Sequence, residues 1–242
     1  MPEKFSASNA EKFINCHASA NLDIAIPNWV PPEKDETADN AANRGTKMHN
    51  IFASVMALPL ADQERMVAAI QYVGFYLNQR RWKKLIEVTE VADWLPSSPN
   101  TTADLVLYLN DELHIFDLKT GKILVDAINN VQMLHYAATY LKYAPNAKHV
   151  TMHIVQPWAE KSSAWRVDIA DLFNWMLFAV EHDLQITAGD TTFMPGDHCQ
   201  FCAANPRSRG AKGKPLCPAM MQLYYPEMPL NEAEILKEDD SE

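Results

Sequence analysis

Apolar positions change their period twice along this chain. From Asn43 to Met56, and again across "ADQERMVAAIQYVGFYLNQRRW", they recur every three to four residues, as on a helix with one buried face. Three strand-like stretches follow, Lys84–Val91, Thr102–Leu109 and Glu112–Leu118, and the last two are separated only by Asn110 and Asp111, a tight hairpin turn. Helical spacing then returns over "VDAINNVQMLHYAATYLKYA", "HVTMHIVQP" reads as a further strand, and "DIADLFNWMLFAVEHDLQIT" as another helix. At the start, "SASNAEKFINCHAS" predicts a short helix capped by Ser6 or Ser8, with Glu11 in capping-box range of Ser8, and "NWVPPEKDETADN" predicts a loop. Helices, a three-stranded meander, a crossover helix, another strand and more helices imply an α/β fold: a central mixed β-sheet flanked by helices.

Composition narrows this picture. The chain has 242 residues, 48% of them hydrophobic, with only 7 glycines and 15 prolines, which suits a globular protein and excludes a fibrous one. No apolar run approaches the ~20 residues that cross a bilayer, and "MPEKFSASNAEKF" lacks the apolar stretch of a signal peptide, so the expected location is cytoplasmic. The net charge of −10 argues against a general basic coat for nucleic acid, although the last residues, "LNEAEILKEDDSE", carry much of that acidity and read as a flexible tail over 226–242. The densest local basic patch is "NQRRWKK", Asn78 to Lys84, to which Lys47 and Lys122 add. It reads equally as a solvated helix end.

The chemistry concentrates at "FDLKTG". Asp117 and Lys119 are two apart at the end of a strand, so they point to one side. With a two-residue turn at Asn110 and Asp111, antiparallel pairing brings Asp104 opposite a position close to Asp117. Two carboxylates so close repel unless a cation lies between them, and oxygen donors with room for water suit Mg2+ or Mn2+. His49 falls within a helix, and Gln132 and Tyr136, four apart, share a helix face. Taken singly, His49 also reads as an ordinary histidine, Asp104 as a turn residue, and Gln132 and Tyr136 as packing residues.

The series "GTKMH" (Gly45 to His49), "ADLVLY" (Ala103 to Tyr108), "DLK" (Asp117 to Lys119) and "QMLHY" (Gln132 to Tyr136) resembles, in order and spacing, the motifs of RecB-like nucleases of the PD-(D/E)XK superfamily. One departure is Ala103, where that family often has Gly. The resemblance implies a restriction-endonuclease-like core, with Asp104, Asp117, the backbone carbonyl of Leu118 and His49 as metal ligands. It further implies Lys119 as the group that positions or activates water and stabilises charge on the phosphate, and Gln132 and Tyr136 as contacts to the active site or the DNA backbone. Glu90, on the preceding strand, is either an extra metal partner or half of a surface pair.

The four cysteines form a second constellation. Cys199, Cys202 and Cys217 fall within "CQFCAANPRSRGAKGKPLC", and Cys16 lies far upstream; in a cytoplasmic chain this spacing reads as a metal site. RecB-like enzymes that carry an iron-sulfur cluster are similar, with one cysteine before the nuclease motifs and three after. That resemblance implies a 4Fe-4S cluster clipping the N-terminal helix to the C-terminal segment. The longer spacing between Cys202 and Cys217 keeps Zn2+ open, and His17 or His198 could substitute for a cysteine.

The expectation is therefore a single nuclease domain over 1–225, stapled by Cys16 and 199–217. Its activity would be that of a Mg2+- or Mn2+-dependent deoxyribonuclease, an exonuclease acting on DNA in recombination or repair, of the phage or mobile-element type. No G-x-x-x-x-G-K-[ST] loop occurs, so a helicase or recombinase would be supplied in trans. The alternatives are a nucleic-acid-binding protein that keeps the fold without cutting, or a zinc-stabilised interaction protein.

Overall fold

The computed structural model describes residues 5–30, 45–46, 49–50, 52–54, 67–119, 121, 123–157, 161–207, 216–224 and 226. Its described elements are, in order, helices α1 (Ala10–Asn15), α2 (Leu22–Ala25) and α3 (Val67–Leu77), strands β1 (Lys83–Val91), β2 (Asn100–Leu109) and β3 (Glu112–Leu118), helix α4 (Val131–Tyr140), strands β4 (His149–Gln156) and β5 (Lys161–Asp168), and helices α5 (Ile169–Thr187) and α6 (Pro218–Tyr224). Residues 45, 46, 49, 50 and 52–54 are also helical. Contacts divide the chain into two compact units, one of Asp35–Phe178 and one of Met1–Lys34 with Ala179–Glu242. Among the described residues no helix is long and apolar enough to cross a membrane.

The unit of Asp35–Phe178 holds a five-stranded mixed sheet in the order β1-β2-β3-β4-β5, with helices packed against it, as the apolar periods predict. Every neighbouring pair is antiparallel except β3 and β4. That one parallel step requires a crossover, and α4 supplies it. β2 and β3 are buried on both faces, so they read as near-continuous apolar runs. On one side, Ala69, Ile70 and Val73 of α3 pack with Phe52 on Leu105, Leu107, Phe116, Leu118 and Val155. α4 is buried from Met133 to Tyr140.

Several expectations shift. The helix expected from Val125 begins only at Val131, because Asn130 caps it by accepting a hydrogen bond from the Met133 N–H at 3.1 Å. The residues before the cap are held as a loop by the buried Gln156. Its amide accepts from the Val125 N–H at 2.9 Å and donates to the Ile123 carbonyl at 2.7 Å. Strand β5 has no counterpart in the predicted elements: it is an edge strand in which only Val167 is fully buried, so its alternation is faint. The Ser8–Glu11 capping box does not form. Asn9 precedes α1 instead, and α1 stops at Cys16, whose backbone is extended (φ −155°, ψ 100°). The tail 226–242, apart from Pro226, lies outside the described residues, as do Lys47 and Lys122.

Candidate active site

The site forms across the middle of β1 and β2 and the end of β3, all packed against α4. The hairpin pairs Leu109 with Glu112 and Leu105 with Phe116, so Asp104 and Asp117 come next to each other in register. Asp104 turns one carboxylate oxygen to the β3 backbone, where Oδ2 accepts from the Leu118 N–H at 2.6 Å. Its other oxygen, Oδ1, lies 3.1 Å from His49 Nδ1, and His49 Nε2 lies 2.8 Å from the Leu118 carbonyl oxygen. Both ring nitrogens thus face acceptors, which only an imidazolium satisfies. The Asp104 hydrogen bond accordingly raises the His49 pKa to about 9, against the opposing effect of burial. The ring can ligate a cation only by giving up that proton.

The second half of the site is a polar ladder on α4. Lys119 follows directly from β3, where its own N–H donates to the Val155 carbonyl at 2.9 Å and continues the parallel pairing with β4. Its Nζ donates to Gln132 Oε1 at 2.6 Å and stands 2.9 Å from Asp117 Oδ2. The Gln132 amide donates to the Tyr136 hydroxyl at 2.8 Å and, at 3.4 Å, to Asp117 Oδ1. Asp117 is 2% exposed; burial raises its pKa, and Lys119 pulls the other way. The Lys119 ammonium is the charged neighbour of the buried Asp117 Oδ2. Burial likewise pushes the Tyr136 hydroxyl well above its usual range, keeping it neutral.

All seven residues expected at the site, His49, Asp104, Asp117, Leu118, Lys119, Gln132 and Tyr136, are thus joined by direct contacts. Glu90 is not among them. It pairs with Lys142 at 2.8 Å and accepts a short hydrogen bond from Tyr143, and these hold its pKa below the usual carboxylate value. The acidic residue that β1 does bring to the site is Glu87. Its carboxylate, one oxygen of Asp104 and one nitrogen of His49 lie within 4.8 Å of one another, the one such trio of potential ligands among the described residues. The sequence carries no sign of this, because the connection over 92–99 does not set the register of β1 against β2; Glu87 itself is at φ +49°.

In the unit of Met1–Lys34 with Ala179–Glu242, Cys16, Cys199, Cys202 and Cys217 line one cavity with Lys12, Leu22 and Met220. All four are unbridged. Peptide N–H groups point at three of the sulfurs: Gly196 at Cys199 (3.4 Å), Ala204 at Cys202, and Ala219 and Met220 at Cys217. Burial nonetheless pushes these three thiols up, Cys217 to about 11. No three of the sulfurs lie within 4.8 Å of one another. A tetrahedral zinc site with Zn–S bonds of ~2.3 Å would hold them roughly 3.8 Å apart. His17 and His198 are otherwise occupied: His17 Nδ1 lies 2.6 Å from Asp190 and its Nε2 2.5 Å from His182, while His198 Nε2 lies 3.0 Å from the Met194 carbonyl.

A family profile described as a protein of unknown function, DUF2800, matches residues 87–238. Among solved structures, SSO0001 is similar at 9% identity over 85% of each chain, with a TM-score of 0.40. A proposed exonuclease from Eubacterium rectale is similar at 12% identity over 92% of this chain and 93% of its own, with a TM-score of 0.47. An alkaline exonuclease from Laribacter hongkongensis, LHK-Exo, is similar at 10% identity over 74% of this chain and 95% of its own, with a TM-score of 0.29. What this chain can do is therefore read from its own side chains.

Proposed function

The chain belongs to the DUF2800 family, and we propose that it is a metal-dependent DNA nuclease, an exonuclease of recombination or repair. One observation carries this reading: a carboxylate and an ammonium, Asp117 and Lys119, stand 2.9 Å apart beside Asp104, itself 3.1 Å from His49. The donors are carboxylate oxygens, one imidazole and one peptide carbonyl, which suit Mg2+ or Mn2+. The near-complete burial of Asp104 and Asp117 side by side fits the same purpose, since buried charges are paired or coordinate metals.

In this reading Asp104, Asp117, the Leu118 carbonyl and His49 hold the cation, which supplies Lewis acidity and a bound water of lowered pKa. Lys119 then faces the phosphate and water with its ammonium. Gln132 keeps it there, taking one Lys119 hydrogen bond on its carbonyl while Tyr136 anchors its amide. The short path from Lys119 through Gln132 to Asp117 keeps the charge that must stabilise the transition state in place before substrate arrives, the arrangement with the lowest reorganisation cost.

The cysteine set supports a 4Fe-4S cluster over Zn2+. No three of its sulfurs lie within 4.8 Å of one another, against ~3.8 Å in a tetrahedral zinc site, and N–H donors to cluster thiolates are a usual means of tuning cluster sites. Any helicase or recombinase is a separate chain in this reading.

The test is incubation of end-labelled single- and double-stranded DNA, linear and circular, with Mg2+ or Mn2+. Cleavage is expected in the wild type. Asp117→Ala and Lys119→Ala should each cost at least about a hundredfold in rate, the ~3 kcal/mol typical of a lost ligand or charge-stabilising group, with the melting curve intact. Near-normal turnover in either variant would place the chemistry elsewhere.

A further inference from the structure

Glu87 occupies a place that a structural carboxylate would avoid. Along β1 the pairs Ile86–Leu105 and Val88–Ala103 keep one register, yet the pair between them, Glu87 opposite Asp104, is missing from the ladder. Glu87 is at φ +49°, a left-handed conformation that is uncommon outside glycine and asparagine and strained for a glutamate. That backbone turn places the carboxylate beside Asp104 and His49, within 4.8 Å. Glu87 Oε1 is buried there without a hydrogen-bond partner, while Asp117 Oδ2 has the Lys119 ammonium at 2.9 Å. Three residues further along the same strand, Glu90 shows the ordinary outcome, with Lys142 and Tyr143 both satisfying it.

Strain, burial and the carboxylates of Asp104 and Asp117 oppose this placement and burial raises the Glu87 pKa, with His49 alone pulling the other way. A divalent cation bound between them would replace the repulsion among these carboxylates by a shared attraction. We propose that Glu87 is a ligand of the divalent cation held at His49 and Asp104, adding a third carboxylate to the site. The assignment rests on the metal-dependent reading above and refines it. A third carboxylate favours a hard, oxygen-seeking ion over a softer one, and it places negative charge on the β1 side of the cation, opposite the Lys119 ammonium on the α4 side.

The experiment is calorimetric titration of Mn2+ into the protein without DNA, together with melting of the metal-free protein. Glu87→Gln should bind Mn2+ at least tenfold more weakly than wild type, and Glu90→Gln as tightly as wild type. Glu87→Gly, which accepts the positive φ and removes the repulsion, should melt at or above the wild-type temperature without metal while binding Mn2+ as poorly as Glu87→Gln. Wild-type Mn2+ affinity in Glu87→Gln, or a clear fall in the metal-free melting temperature of both variants, would make Glu87 a structural residue and overturn the assignment alone. A wild-type protein that binds no Mn2+ would overturn the assignment and the reading beneath it together.

Discussion

His114 and His153, on the parallel neighbours β3 and β4, share a hydrogen bond of 3.0 Å between Nδ1 and Nε2. The chain of contacts runs on in both directions, from His114 Nε2 to Glu112 at 3.2 Å and from His153 Nδ1 to the Tyr72 hydroxyl at 2.9 Å. If Glu112 accepts, His114 Nδ1 must accept from His153, and His153 Nδ1 from Tyr72, so both rings are neutral with a fixed tautomer. Burial lowers both pKa values, that of His153 well below 6.5. For His114, Glu112 opposes the shift while Arg166 and Arg80 reinforce it. A folded pKa below the unfolded one means that the unfolded chain binds more protons on acidification. This contribution to stability is therefore full above about pH 6.5 and is lost as the pH falls, at up to ~1.4 kcal/mol per pH unit for each histidine. Urea unfolding from pH 8 to 5 should show the loss, and the double variant His114→Phe, His153→Phe should flatten it; equal slopes in the two proteins would contradict this account. Nothing in the sequence pointed to the pair, because in an alternating strand a histidine reads as an outward polar position.

At the scale of elements, legibility follows from how tightly each pattern constrains the backbone. A two-residue turn at Asn110 and Asp111 fixes the parity of β2 against β3, so the adjacency of Asp104 and Asp117 could be counted out from the sequence alone. The same counting fails at Glu87, since the longer connection over 92–99 leaves the register of β1 against β2 unset, and at β5, where a single buried residue leaves too little contrast to mark a strand. The start of α4 was misplaced because "VDAIN" has helical apolar spacing, whereas Gln156 and Asn130 claim its backbone groups first. That cap has a functional reach. Gln132 sits two residues inside it, so Asn130→Ala, besides costing ~1 kcal/mol of stability, should loosen the Lys119–Gln132–Tyr136 ladder. Cleavage rate is expected to drop by more than the stability loss accounts for, and Asn130→Asp, which keeps a side-chain acceptor, should restore it. Kinetics and thermal melting measured together decide this, and equal damage in the Ala and Asp variants would count against the cap.

For the whole molecule, the decisive variant is Cys16→Ala. If the four cysteines share one cluster, protein purified without air should be brown, with iron and sulfide and little zinc. The variant should lose that colour as fully as Cys199→Ala and melt at a lower temperature, because ligation confined to the folded state adds its binding free energy to folding. Unchanged metal content in Cys16→Ala would remove Cys16 from the set. The cysteines belong to one compact unit made from both chain ends, and all of Asp35–Phe178 lies between them in sequence. During synthesis, Cys16 leaves the ribosome ahead of Asp35–Phe178, whereas Cys217 follows only after the entire sheet-bearing unit has been made. A cluster shared by all four can therefore be completed only after the sheet-bearing unit has been made, and its presence reports that translation has run past residue 217.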